Sequence, residues 1–145
     1  MNDRRPPPGS EQFIALAVKL ALENVDRGQR PYGAVVVRDG EVIGEGVNTV
    51  LRHGDPTAHA ETEAVRQACR RTGSRDLSGA YVASSCRPCD MCQTVTRLAR
   101  IDLVLYAGLS RPGPALPDLE VLSLPDPAAQ QPFDRFALLN LPMLD

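Results

Sequence analysis

The chain has 145 residues, 43% of them hydrophobic, and a net charge of −2. That length suits one domain with its own core, and four cysteines are too few for a disulfide scaffold. The basic surplus of phosphate-binding proteins is absent, and Lys19 is the only lysine among 16 basic residues, which makes nucleic acid an unfavoured partner. No apolar run is long enough to span a bilayer, and Met1 to Ser10 is polar and proline-rich, unlike a signal peptide. A soluble cytoplasmic protein with no membrane partner is expected.

In chain order, residues 1–9 read as a flexible lead-in. From Glu11 to about Asp26 the residues Phe13, Ile14, Ala17, Leu20, Ala21 and Val25 recur at helical spacing, with Ser10 as N-cap and Gly28 as terminator. Ala34 to Val37 is a β-branched run. Asp39-Gly40 is a hairpin turn signal, and Glu41 to Val47 reads as the returning strand. A loop with His53, Asp55 and Pro56 leads to a predicted helix from Ala58 to about Arg71, closed by Gly73.

Tyr81-Val82-Ala83 is a predicted strand, Cys89 to Arg100 a helix opened by Pro88, and Leu103 to Tyr106 a further strand. Helices that connect consecutive strands imply crossovers, so part of the sheet is expected to be parallel and covered by helices. Between Ser110 and Pro127 five prolines interrupt any regular element, and residues 110–145 read as an irregular segment. Phe133, Phe136, Leu138 and Leu139 are compatible with a short terminal helix. No internal repeat or second domain is visible, and 1–145 reads as one unit.

Chemistry concentrates in His59-Ala60-Glu61 and, 27 residues beyond Glu61, Pro88-Cys89-Asp90-Met91-Cys92. One imidazole and two thiolates make three zinc ligands, and a tetrahedral ion so held keeps one position open for water. Cys89 and Cys92, at i and i+3 near a helix start, share one face, and a helix N-terminus favours the thiolate. Glu61, close by but not a ligand, is placed to accept the proton of a zinc-activated water and pass it on, which is the chemistry of hydrolytic deamination.

A competing reading uses Cys86 as a fourth ligand, since Cys86-Arg87-Pro88-Cys89 is itself a Cys-x-x-Cys. That would be a closed structural zinc site without catalysis. Arg66, Arg70, Arg71 and Arg75 cluster on a helix with Glu63 within i,i+3 reach of Arg66, as a solvated face or a polyanion contact. Cys69 reads as a small apolar residue of the same helix.

The chain resembles the cytidine-deaminase-like superfamily in its nucleobase and tRNA adenosine deaminase branch. Four segments carry the likeness: Pro31 to Val36, Gly44 to Asn48, Asp55 to Glu61, and Pro88 to Cys92. The resemblance implies a three-layer α-β-α sandwich with a mixed central sheet. It assigns His59, Cys89 and Cys92 as ligands of one Zn2+ with a bound water or hydroxide, and Glu61 as the catalytic proton shuttle. Asn48, the backbone of Ala60 and Tyr32 are implied substrate-binding positions, and a homodimer is the common assembly.

Two positions depart from many purine and tRNA deaminases. Arg87 replaces a glutamate before the Pro-Cys, and Gln93-Thr94 replaces Gly-Ala after the second cysteine. Asp55 to Glu61 is similar to bacterial guanine deaminases, and Pro88 to Cys92 to fungal cytosine deaminases. The expected substrate is a small-molecule aminated heterocycle such as guanine, cytosine or an aminotriazine, with tRNA adenosine editing as the alternative. Asp118, Asp134 and Asp145 are candidates to hold the amino group, and Phe133 or Phe136 to stack on the ring.

Overall fold

The computed structural model describes residues 4–108 and 113–139. Its elements are α1 (Ser10–Asp26), β1 (Gly33–Arg38), β2 (Glu41–Val47), α2 (Val50–His53), α3 (Ala60–Thr72), β3 (Tyr81–Ser84), α4 (Asp90–Leu98), β4 (Leu103–Tyr106), β5 (Glu120–Ser123) and α5 (Gln131–Leu138). The strands form one sheet in the order β2-β1-β3-β4-β5. β1 runs antiparallel to both β2 and β3, whereas β4 is parallel to β3 and to β5.

Period-two alternation divides the core between the two faces of this mixed sheet. Ala34, Val36, Val82 and Val104 point to one side, where Ala60, Ala64, Val65 and Ala68 of α3 cover them. Val35, Val37, Ala83, Leu103 and Leu105 point to the other, against Phe13, Ile14 and Val18 of α1. The α5 helix lies beside α1, where Arg135 pairs with Asp26 at 2.5 Å. Helices on both faces complete the expected three-layer sandwich.

Close packing of α3 onto β2 depends on the absence of side chains. A Cβ on Gly46 would lie 2.2 Å from the Ala60 carbonyl oxygen and 2.3 Å from the Ala64 nitrogen. On Gly44 it would lie 2.5 Å from the Ala64 oxygen. Glycines on the strand and alanines at i, i+4 and i+8 on the helix therefore let backbone meet backbone, which fixes where α3 begins.

Several local expectations change. Gly9, left-handed at φ 78°, is the N-cap of α1, while Ser10 sits inside the helix and its hydroxyl donates to the Pro7 carbonyl. Within the predicted loop between Val47 and Ala58, one helical turn, α2, presents an exposed His53. Cys89 is the extended N-cap of α4 rather than a first-turn residue, so Pro88 precedes the cap.

The proline-broken segment also supplies a strand, β5, on the sheet edge beside β4. Prolines are tolerated there because they flank the paired residues instead of interrupting them. Among the described residues no helix is long and apolar enough to cross a membrane.

Candidate active site

Two helix starts meet at one point below the C-terminal end of β3. His59 is the N-cap of α3 and Cys89 that of α4, both with extended backbones, and each leads into a first turn whose N–H groups have no partner within the helix. Cys92, one turn into α4, is fully buried. The nitrogen of His59 and the sulfurs of Cys89 and Cys92 all lie within 4.8 Å of one another. His59 Nδ1 is 3.6 Å from Cys89 Sγ, and the Thr62 hydroxyl is 3.3 Å from Cys92 Sγ.

This donor set suits zinc, which binds imidazole and thiolate in tetrahedral sites. Among the described residues the group contains these three side chains, and Cys86 lies outside it. Interaction with the Cys92 thiol holds the Cys89 pKa down to about 5. The same interaction, joined by burial, holds Cys92 up. Cys89 is therefore the readier thiolate, and Cys92 would have to lose its proton on binding a metal ion.

Glu61, in the first turn of α3, is 6% exposed. Ser84, at the end of β3, donates its hydroxyl hydrogen to Glu61 Oε1 at 2.7 Å. Burial raises the Glu61 pKa, and the bond from Ser84 opposes that rise by favouring the charged form.

A cavity of about 230 Å³ opens beside these groups. His59, Ala60, Glu61 and Cys89 line one side, and Tyr32, Asn48, Arg30, Cys86 and Arg87 also contribute. Asn48 Oδ1 accepts the Val50 N–H at 3.1 Å, which sets the amide orientation and leaves its NH2 end as the donor. Burial raises the Tyr32 pKa, keeping the phenol protonated.

All three substrate-binding candidates, Asn48, Ala60 and Tyr32, thus line the same cavity as Glu61. The candidates of the C-terminal segment do not. Asp118 faces Arg97 at 3.7 Å in a separate surface groove, and the exposed Asp134 accepts from Gln130 Nε2 at 3.2 Å. Asp145 lies outside the described residues. Phe136 is buried, while Phe133 meets Tyr32 edge-on with ring centroids 5.6 Å apart and so supports the pocket wall.

Chain similarity agrees with this geometry. Residues 8–108 match the model of the cytidine and deoxycytidylate deaminase zinc-binding region. The chain belongs to that zinc-binding deaminase family. It is 46% identical over 98 residues to the guanine deaminase of Bacillus subtilis, a match covering 67% of this chain and 63% of that protein. The chain thus spans just under two thirds of that relative. A tRNA-specific adenosine deaminase of Aquifex aeolicus is 37% identical over 103 residues, covering 71% of this chain and 68% of its own. The X-ray structure of the Bacillus subtilis guanine deaminase superposes with a TM-score of 0.66 at 32% identity, covering 100% of this chain and 98% of that one.

Two residues that brace the cavity have no sequence signature. Ser84 reaches Glu61 across 23 residues. Asn24, buried on α1, donates through Nδ2 to the carbonyls of Arg30 at 2.8 Å and Asn48 at 2.9 Å, tying together two loops that line the cavity. The Ser84-Ser85 pair just before the cysteine motif offered a weak signal for the first. Nothing local distinguishes Asn24 from an ordinary helix residue.

Proposed function

We propose that the protein is a hydrolytic deaminase of a free nucleobase or nucleobase-like aminated heterocycle, with guanine the first choice and cytosine or an aminotriazine next. The observation that carries this reading is the convergence of His59, Cys89 and Cys92 beside the buried Glu61–Ser84 pair on one cavity. His59, Cys89 and Cys92 would hold zinc, whose Lewis acidity lowers the pKa of bound water toward neutrality.

Glu61 takes a proton from the attacking water and delivers it to the neighbouring ring nitrogen. A C–O bond forms at the amino-bearing carbon. Glu61 then carries the second proton to the departing nitrogen, the C–N bond breaks, and ammonia leaves behind a ring carbonyl. The Asn48 amide donates to an acceptor on the ring, the Ala60 backbone borders the reacting face, and Tyr32 closes one wall.

A cavity of about 230 Å³ supports a free base. Pockets for drug-sized ligands are larger, roughly 300–1,000 Å³. The likeness to a guanine deaminase supports guanine in particular. The second reading, tRNA adenosine editing, draws on the likeness to a tRNA-specific deaminase and on the exposed Arg66, Arg70 and Arg71 of α3. Arg66 is already engaged by Glu63.

The test is an ammonia-release screen of zinc-loaded protein against purines, pyrimidines and triazines. Turnover of a free base is the expected outcome. Silence on every base, with steeply salt-dependent RNA binding, would replace this reading by the second. Homodimerisation belongs to the same proposal, and Leu98 and Leu138, 77% and 85% exposed, are apolar side chains such a contact would cover. Light scattering at the monomer mass would remove it.

A further inference from the structure

Two residues that flank the cysteine motif, Arg87 and Gln93, reach the same distant stretch of chain. Arg87 Nη2 donates to the carbonyls of Gly113 at 3.0 Å and Pro114 at 3.3 Å. Gln93 Oε1 accepts the Leu116 N–H at 3.1 Å, and its Nε2 donates to the Pro88 carbonyl at 3.1 Å. Three bonds therefore join residues 113–116 to the loop and helix that carry Cys89 and Cys92, and the fourth ties Gln93 to that loop.

Both side chains suit the task chemically. Gln93 is fully buried, and its carboxamide carries a donor and an acceptor on separate atoms, so it satisfies a carbonyl on one side and an N–H on the other. An apolar or small residue there would leave the buried Pro88 carbonyl and the part-buried Leu116 N–H without these partners, a costly arrangement. The planar guanidinium of Arg87 spans two successive carbonyls from one nitrogen, which locks its rotamer. Arg87 also lines the cavity, next to Cys86.

We propose that Arg87 and Gln93 form a clamp that fixes residues 113–116 against the cysteine loop and, in return, fixes Arg87 as a wall of the substrate cavity. They are then specificity-determining positions, acting on which heterocycle fits and not on the proton transfers of Glu61. The consequence for substrate rests on the deaminase reading above, while the clamp itself does not.

The experiment uses the full chain loaded with zinc, as wild type, Arg87→Ala, Arg87→Lys, Gln93→Ala and the Arg87→Ala/Gln93→Ala double variant. Amide hydrogen exchange at Leu116 and steady-state ammonia release from guanine, or the fastest base of the panel, are measured on each. Gln93→Ala should accelerate Leu116 exchange at least about tenfold. Arg87→Ala should accelerate the same amide although it is not its partner. Each should raise KM about fivefold or more with kcat within about twofold, and Arg87→Lys should recover part of the loss.

Because both residues hold one segment, the double variant should resemble the worse single variant instead of multiplying the two effects. Unchanged Leu116 exchange in Arg87→Ala, or KM effects that multiply, would overturn the clamp. A fall in kcat at constant KM would overturn the specificity role. If the wild type deaminates no base, the functional reading fails and the exchange measurement alone decides the clamp. Arg87 is half-exposed, so its variants keep the test valid even if Gln93→Ala does not fold.

Discussion

The two sides of the cavity are built by different means. On the side of the chemistry, His59 and Glu61 sit at the start of a helix whose position is dictated by backbone contact with Gly44 and Gly46. The reading side assembles from loops, with Tyr32 braced by Phe133, Asn48 tethered by Asn24, and Arg87 held by carbonyls of the C-terminal segment. Glycine packing leaves little room to drift, whereas single hydrogen bonds are easily exchanged. A site made this way can keep its reaction while its substrate changes.

The sharpest way to break that contrast is at the ligands. Cys92→Ala should weaken zinc binding by more than the roughly 10–100-fold seen when only an outer partner of a metal ligand is lost. Competition with a chelator measures it. Next comes the packing that places the ligands. Gly46→Ala forces α3 away from β2 and should cost about 1–3 kcal/mol of stability in a urea titration.

Removal of the Ser84 hydroxyl probes the chemical side without touching packing. Ser84→Ala should leave zinc stoichiometry intact and reduce kcat by roughly tenfold, in line with a lost bond to a charged group of about 1.5 kcal/mol. The mildest effect is expected at Asp55, whose carboxylate is held below the usual range by hydrogen bonds from the Thr57 hydroxyl and N–H. A lowered folded-state pKa adds stability above the ordinary carboxylate value, and that increment disappears as pH falls through the lowered value. Asp55→Asn should therefore bring the neutral and acidic melting temperatures slightly closer together.

How legible each side was in the sequence follows the same division. His59, Glu61, Cys89 and Cys92 lie in two short segments, so residue type, spacing and the family resemblance point to them before the fold brings the two helix starts together. Ser84, Asn24 and the Gln93–Leu116 link act across 23 or more residues or between elements with no shared motif, and only the folded sheet reveals them.

β5 escaped notice because Glu120 to Ser123 is short, half-buried and bordered by prolines, too weak for a period-two signal. Ser10 looked like a cap by residue type, yet left-handed Gly9 turns the chain one residue earlier. Asp118 and Asp134 were plausible by charge, but their paths through the C-terminal segment point them at Arg97 and Gln130.

In the proposed reaction His59, Cys89 and Cys92 would hold the metal, and Glu61 would move protons without holding it. Glu61→Gln tests this directly when zinc content and ammonia release are measured on the same sample. The variant should bind one zinc per chain, as the wild type does, and lose turnover by about 100-fold or more. Loss of the zinc, or turnover near the wild-type rate, would contradict it.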